Sequence, residues 1–110
     1  MELHHPDLAQ VRLERVLYAL SDGVRLAIVR RLARDGVSSC AALSDGRPKS
    51  SMSHHFRVLR ECGVIRTRCE GVLHLNELRL GELEAQFPGL LNSVIEAAGP
   101  ERRSSEAASG

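Results

Sequence analysis

The fold is decided by one stretch of the sequence, residues 50–72, which reads SSMSHHFRVLRECGVIRTRCEGV. Apolar side chains recur in it at helical spacing, at Met52, Phe56 and Leu59. This period predicts an amphipathic helix over residues 51–62. The first turn of that helix carries the small hydroxyl residues Ser50, Ser51 and Ser53 and no bulky side chain on its outward side.

Capping residues on both sides of this helix support its predicted limits. Ser50 is expected to act as the N-cap, and Gly63 as a left-handed residue that ends the helix. Two strands are then expected, residues 64–69 and 72–76, because both are short and contain β-branched residues. The pair Glu70-Gly71 between them is typical of a tight hairpin turn.

Three helices are expected before this segment. Residues 7–20 have an apolar stripe with helical period, and residues 24–35 follow after an N-cap at Ser21-Asp22. A third helix, residues 40–43, is very short, and Ser38 or Ser39 caps it. Residues 44–48 have the composition of a turn.

The C-terminal part predicts a last helix with a break. Its apolar stripe runs from Leu83 to Ile95, and we expect the helix to break near Phe87, with Pro88 opening the second piece. The segment from residue 98 to residue 110 lacks apolar periodicity and is predicted to be a disordered tail. The expected fold is mainly α with a small β-hairpin, in one domain over residues 1–97.

The outward side of the helix at 51–62 has the chemistry that DNA recognition needs. Its stripe is Ser50, His54, Arg57 and Glu61, with Ser53 beside it. Short donors at the start of a helix reach base edges in a major groove, and cations one or two turns later meet phosphates. The predicted DNA contacts are Lys49, Ser50, Ser51, Ser53, His54, Arg57, Arg60 and, on the hairpin, Arg66 and Arg68.

The charge distribution agrees with this assignment. The net charge is only +1, but between residues 47 and 68 the basic residues are opposed by Glu61 alone. A basic middle followed by an acidic C-terminal third favours a surface for a polyanion. The alternative explanation is that serines only cap the helix and arginines only solvate the surface.

Residues 53–68 followed by Glu70-Gly71 resemble the recognition helix and wing of the ArsR/SmtB family of bacterial metal- and redox-responsive regulators. Residues 20–29 resemble the second helix of that family, with Gly23 where proline is usual. The resemblance covers about residues 8 to 97. It implies a winged helix-turn-helix that regulates transcription, as a repressor by default.

The resemblance also implies an assembly and residue roles. It implies a homodimer formed through the first and last helices, which suits a last helix that is more apolar than a small monomer requires. Ser50, Ser53, His54 and Arg57 would contact a palindromic operator, and the hairpin arginines would be wing contacts. His55 would pack inward as a structural residue.

The family's usual metal sites are incomplete in this chain. The short third helix offers one thiol, Cys40, where the family has Cys-x-Cys, and the last helix has no His or Asp. Another ligand set is His4, His5 and Asp7, whose imidazoles and carboxylate suit Ni²⁺, Co²⁺ or Zn²⁺. Some nickel-responsive members of the family use N-terminal histidines. The alternative is an incidental histidine pair.

Thiol chemistry is a second route to regulation. Cys40, Cys62 and Cys69 are candidates for redox sensing, and the alternative is that they are small apolar fillers. A third interpretation has no effector, with activity set by expression or by a protein co-regulator. His74 is expected to be an ordinary residue on a strand face.

Other classes of protein are disfavoured by what the sequence lacks. No long apolar run or secretory signal is present, and an odd number of separated cysteines argues against a disulfide framework, so a cytoplasmic protein is expected. No catalytic motif is present, so an enzyme is not expected. The alternative to a DNA-binding regulator is a winged-helix protein-interaction module, or a co-regulator without its own effector.

Overall fold

The computed structural model describes residues 3–99, which form six α-helices and a three-stranded antiparallel sheet. The predicted fold, mainly α with a small β-hairpin, is confirmed. The predicted tail lies outside the described residues from residue 100 onward. In chain order the elements are α1 (Leu13–Leu20), α2 (Gly23–Asp35), β1 (Ser38–Ser39), α3 (Cys40–Ser44), α4 (Lys49–Glu61), β2 (Ile65–Glu70), β3 (Leu73–Leu78), α5 (Leu80–Gln86) and α6 (Leu90–Ala98).

The N-terminal helix is shorter than predicted. Residues 7–20 are not one helix, because a 3₁₀ turn at Leu8–Gln10 is followed by extended backbone before α1 begins. Asp7 caps that turn by accepting a hydrogen bond from the Ala9 N–H at 3.0 Å. The break lets Leu8 and Val11 pack beside Gly63, where a Cβ atom would lie 3.2 Å from each.

The sheet has one strand more than the predicted hairpin. β1 pairs with β3 through Ser38 and Ser39, and β3 pairs with β2 from Ile65↔Leu78 to Glu70↔Leu73. This register places the two-residue turn at Gly71-Val72, one residue later than predicted. β2 and β3 form the wing, and the missed strand attaches the wing to the start of α3.

Helix α4 begins two residues earlier than predicted. Its N-cap is Pro48, and Ser50 lies exposed inside the helix, so the prediction that Ser50 caps it is wrong. Proline fixes φ in the range that a helix start requires, and the Ser51 hydroxyl donates to the Pro48 carbonyl at 3.0 Å. The helix ends at Glu61 with Cys62 as its C-cap, and Gly63 follows with φ +83°, the left-handed conformation that was expected.

Helix limits elsewhere are close to those expected. Asp22 caps α2 and Ser39 caps α3, both through side-chain oxygens that accept backbone N–H groups. The last helix breaks at Phe87 as predicted, but Gly89 is the N-cap of α6, so Pro88 precedes the second piece rather than opening it.

The core lies where α2 and α4 pack against each other and against the base of the wing. Its centre is aliphatic, as a chain with 3% aromatic residues requires, and includes Val29, Leu59, Val64 and Ile65, all fully buried. None of the helices within residues 3–99 is long and apolar enough to cross a membrane. The core therefore holds α4 firmly on one side and leaves its other side to solvent.

Candidate nucleic-acid interface

One side of α4 is buried and the opposite side is open. Met52 and Leu59 are at most 1% exposed, whereas Ser50, His54 and Arg57 are exposed, as the helical stripe predicted. Glu61 and Ser53 are exposed as well. The open side faces no other described element, so an α-helix with small residues at its N-terminal end is free to enter a groove.

Cations around α4 have no partner within residues 3–99. Most described arginines make an ion pair, a hydrogen bond or a stacking contact inside the chain. The arginines that make none are Arg30, Arg47, Arg57 and Arg60, and Lys49 makes none either. All but the first lie on α4 or on the turn that leads into it. Positive charge is therefore left unsatisfied along this helix, where an anionic ligand would satisfy it.

The wing arginines, unlike the cations around α4, have carboxylate partners. Arg66 donates to Glu82 at 2.8 Å, and Arg68 donates to Glu70 at 2.8 Å. Both lie on the outer face of the sheet. Glu82 also accepts from Arg79, and these hydrogen bonds, with Arg79 the larger contributor, lower its pKa to about 2. The predicted wing contacts are thus arginines that already have carboxylate partners, and their role in DNA binding stays a prediction.

Arg25 positions α4 against the end of α1. Its side chain is buried and donates to the Ala19 carbonyl at 2.9 Å, to the Tyr18 carbonyl at 3.3 Å and to His55 Nδ1 at 3.1 Å. The guanidinium also lies 5.1 Å from the centre of the Tyr18 ring. The inward, structural position expected for His55 is confirmed, and Arg25 is a residue that the sequence analysis missed.

The contacts of His55 favour its neutral form. An arginine can only donate, so the bond from Arg25 to Nδ1 of His55 forms with the unprotonated nitrogen. Burial is the largest cause that lowers the pKa of His55, and Arg25 lowers it further, while Asp22 opposes the shift. Asp22 Oδ2 lies 3.8 Å from Nδ1 and accepts from the first N–H groups of α2. Burial and the bond from Arg25 therefore favour the uncharged form of His55 at the interface of α4 with α2.

The N-terminal candidates for metal binding are spread over separate contacts. His5 Nε2 accepts the Thr67 N–H of the edge strand at 2.9 Å, and burial is the largest cause that lowers the pKa of His5. Asp7 caps the 3₁₀ turn, and His4 is exposed. The described residues contain no cluster of three or more His, Cys, Asp or Glu side chains that could hold a metal ion. Metal binding by these residues stays a prediction.

The three cysteines are free thiols in three environments. Cys62 is buried, and burial raises the pKa of its thiol, which keeps it protonated and unreactive. Cys69 is exposed on the wing opposite His74. Cys40 is half-buried at the start of α3, where its sulfur accepts from Asn76 Nδ2 at 3.2 Å. The arrangement fits the role of apolar filler for Cys62 and leaves redox sensing by the other two as a prediction.

Comparison with known proteins agrees with this architecture. A helix-turn-helix domain family matches residues 20–68, which contain α2, α3, α4 and the first half of the wing. A relative from Bacillus subtilis strain 168, the uncharacterized HTH-type transcriptional regulator YceK, is 34% identical over 88 residues, which cover 77% of this chain and 87% of the relative. This relative is named as a transcriptional regulator.

Solved structures share the fold. The transcriptional repressor BigR from Xylella fastidiosa superposes with a TM-score of 0.63 at 27% identity, over 81% of this chain and 88% of that one. An ArsR family transcriptional regulator has a TM-score of 0.62 at 22% identity, over 89% of this chain and 100% of that one. The chain therefore belongs to the DNA-binding helix-turn-helix transcriptional regulators, and it has the winged fold of their ArsR family.

Proposed function

We propose that the chain is a sequence-specific repressor that binds a palindromic operator in double-stranded DNA as a homodimer, with α4 in the major groove. The observation that carries the proposal is the group of cations without partners at Arg47, Lys49, Arg57 and Arg60. Duplex DNA supplies a matching row of phosphates on both walls of the groove that α4 would enter.

The residues of α4 divide between reading bases and holding phosphates. Ser50, Ser53 and His54 lie on the first two turns and are short enough for a close approach to base edges. Lys49, Arg57 and Arg60 flank them and bind the groove walls. Ser51 is partly occupied by its bond to the Pro48 carbonyl, and the wing arginines would add contacts beside the main groove.

An exposed apolar face supports the homodimer. Leu13, Leu17 and Tyr18 of α1 are 43–46% exposed, although α1 is a helix with buried residues on its other side. Leu90, Val94 and Ile95 of α6 are only half-buried. A Leu17→Glu variant should therefore halve the mass measured by sedimentation equilibrium, with its helical circular dichroism retained.

Repression is supported by steric blocking and by one structural neighbour. A dimer bound within a promoter would block it by occupying it. BigR, which shares the fold, is named a transcriptional repressor. The sign of regulation can be read by transcription in vitro from a template that carries the operator.

Control by an effector is the further part of the proposal. A divalent metal ion (Ni²⁺, Co²⁺ or Zn²⁺) bound by His4, His5 and Asp7 would have to take His5 away from the Thr67 N–H or use its other nitrogen. Oxidation at Cys40 or Cys69 is the second route, and control by a protein co-regulator is the third. Operator titrations with each metal, and under reducing and oxidising conditions, distinguish the three.

The test of the DNA-binding site is fluorescence anisotropy with a labelled duplex from upstream of the gene that encodes this chain. We expect tight binding at one dimer per site, and a Ser53→Ala/His54→Ala variant should bind this duplex no better than random DNA. Gln86→Ala, an exposed change on α5, is the matched control and should bind normally.

Two results would contradict the proposal. Normal operator binding by the Ser53→Ala/His54→Ala variant would show that α4 does not read the bases. Absence of binding beyond that of random DNA, for this duplex and for other genomic fragments, would favour the alternative of a winged-helix protein-interaction module.

A further inference from the structure

A cleft separates α4 from the wing on the flank of the DNA-facing side. It has a volume of about 620 Å³ and is bounded by α3, by α4 and by the tip of the wing. Small-molecule sites commonly measure roughly 300–1,000 Å³. The cleft is thus large enough for an organic molecule, and it lies beside the helix that would enter DNA.

Apolar side chains form much of its wall. Met52 and Phe56 contribute from α4, Val72 and Leu73 from the wing, and Leu3 from the N-terminal arm. Val72 is 98% exposed and Leu73 is 48% exposed, so the wing offers apolar surface to solvent at this edge. A phosphodiester backbone gains nothing from such walls, whereas a ligand with an apolar body would bury the exposed surface of Val72 and Leu73 against the floor formed by Met52 and Phe56.

The cations at the rim give the cleft one sign of charge. Arg47, Lys49 and Arg60 line it, and none of them pairs with a carboxylate within residues 3–99. The described lining contains no Asp or Glu. An anionic group is therefore the complement that the rim selects.

We propose that this cleft binds a small organic anion with an apolar body, such as an aromatic or medium-chain carboxylate, and that this ligand competes with DNA. The apolar body lies against Met52, Phe56 and the wing tip, and the carboxylate lies at Lys49 and Arg60. Competition follows because the same two cations are assigned to phosphates, so that part of the inference rests on the proposed function. The ligand site itself does not depend on the proposed function.

The binding test uses two-dimensional ¹H–¹⁵N NMR of the full chain without DNA. The probes are naphthalene-2-carboxylate and octanoate, each compared with its neutral carboxamide. We expect shift changes concentrated in residues 39–44, 52–60 and 72–74, with the carboxylates at least about tenfold tighter than the carboxamides, since a charged group strengthens a hydrogen bond.

Two variants test where in the cleft the ligand binds. Ala41→Phe adds a ring to an exposed residue of the lining and should abolish binding, and Arg60→Gln should weaken it by about tenfold. Arg30→Gln removes a cation without a partner that lies outside the cleft and should leave ligand binding unchanged. The dispersion of the NMR spectrum reports whether each variant is folded, and Arg60→Gln tests the site if Ala41→Phe does not fold.

The proposal is overturned if neither carboxylate shifts these residues, if carboxamides bind equally well, or if the shifts lie on α1 and α6. Competition is then measured by anisotropy, where a saturating carboxylate should weaken operator binding at least tenfold for the unmodified chain. A ligand that occupies the cleft and leaves DNA affinity unchanged would refute competition. Failure of the proposed DNA function appears separately, as absent DNA binding without any ligand.

Discussion

Replacing Lys49 by glutamine should change how steeply DNA binding depends on salt. Each phosphate neutralised by a protein cation lowers the slope of log K against log salt by about 0.9. If Arg47, Lys49, Arg57 and Arg60 each hold one phosphate, a dimer makes about eight contacts and the slope is about −7. Between 50 and 200 mM salt, affinity should then fall by about four orders of magnitude.

The Lys49→Gln change removes one contact from each protomer, so the slope should become shallower by about 1.8. The loss should be the same on operator and on random DNA, because phosphates carry no sequence information. The assay is anisotropy of labelled duplexes at several potassium chloride concentrations, with Kd extracted at each.

Two control variants make the result specific. Arg30→Gln removes a cation that also lacks a partner but lies on α2, and it should leave the slope unchanged. Arg68→Gln removes an arginine held by Glu70 at 2.8 Å, so its effect should be smaller than that of Lys49→Gln. An unchanged slope for Lys49→Gln, or an equal effect of Arg30→Gln, would refute the placement of phosphates along α4.

Three further predictions concern the supports of the interface. The pKa of His55 is lowered from 6.5, so as the pH falls the unfolded chain takes up a proton at this residue before the folded chain does. The unfolding free energy should therefore decline below about pH 6.5, and the decline should be smaller in His55→Gln. Urea titrations at pH 7.5 and 5.5 measure both. Gly63→Ala should lower the unfolding free energy by about 1–2 kcal/mol because of its left-handed backbone, and further because its Cβ would have contacts at 3.2 Å. Gly46→Ala has a φ of +79° and open space around its Cβ, so it should show the backbone cost alone. Thermal unfolding measures both variants. Asn76→Val should cost about 1–3 kcal/mol in urea unfolding because it leaves the Thr67 hydroxyl without its acceptor, and adding Thr67→Val should cost little more.

Local signals account for the parts of the molecule that the sequence predicted well. The outward stripe of α4 follows from helical period alone, since one apolar side must face the core. The left-handed end at Gly63 and the cap at Asp22 depend on residues within a few positions of the helix end. The candidate DNA-facing residues could therefore be chosen without knowledge of any long-range contact.

Long-range contacts explain what the sequence did not predict. The pairing of Ser38 with Asn76 joins residues 38 positions apart, and a strand of two residues is too short to show a period in the sequence. The break before α1 depends on Gly63 accepting Leu8 and Val11 beside it. Arg66 and Arg68 were assigned from strand alternation. The alternation places both on one face of the sheet, but it gives no information about the carboxylates beside them.

In the proposed homodimer, Arg25 would help to set the spacing of the two α4 helices. Two recognition helices must enter grooves about 34–36 Å apart, so the angle between each α4 and the dimer interface sets the fit. In a dimer formed through α1, that angle depends on how the end of α1 is attached to α4. Arg25 makes this attachment, since one guanidinium bonds the Ala19 and Tyr18 carbonyls and His55. Tyr18 belongs to the exposed face of α1, and His55 follows His54 on α4, so Arg25 contacts both elements that the proposed dimer would have to hold at a fixed angle.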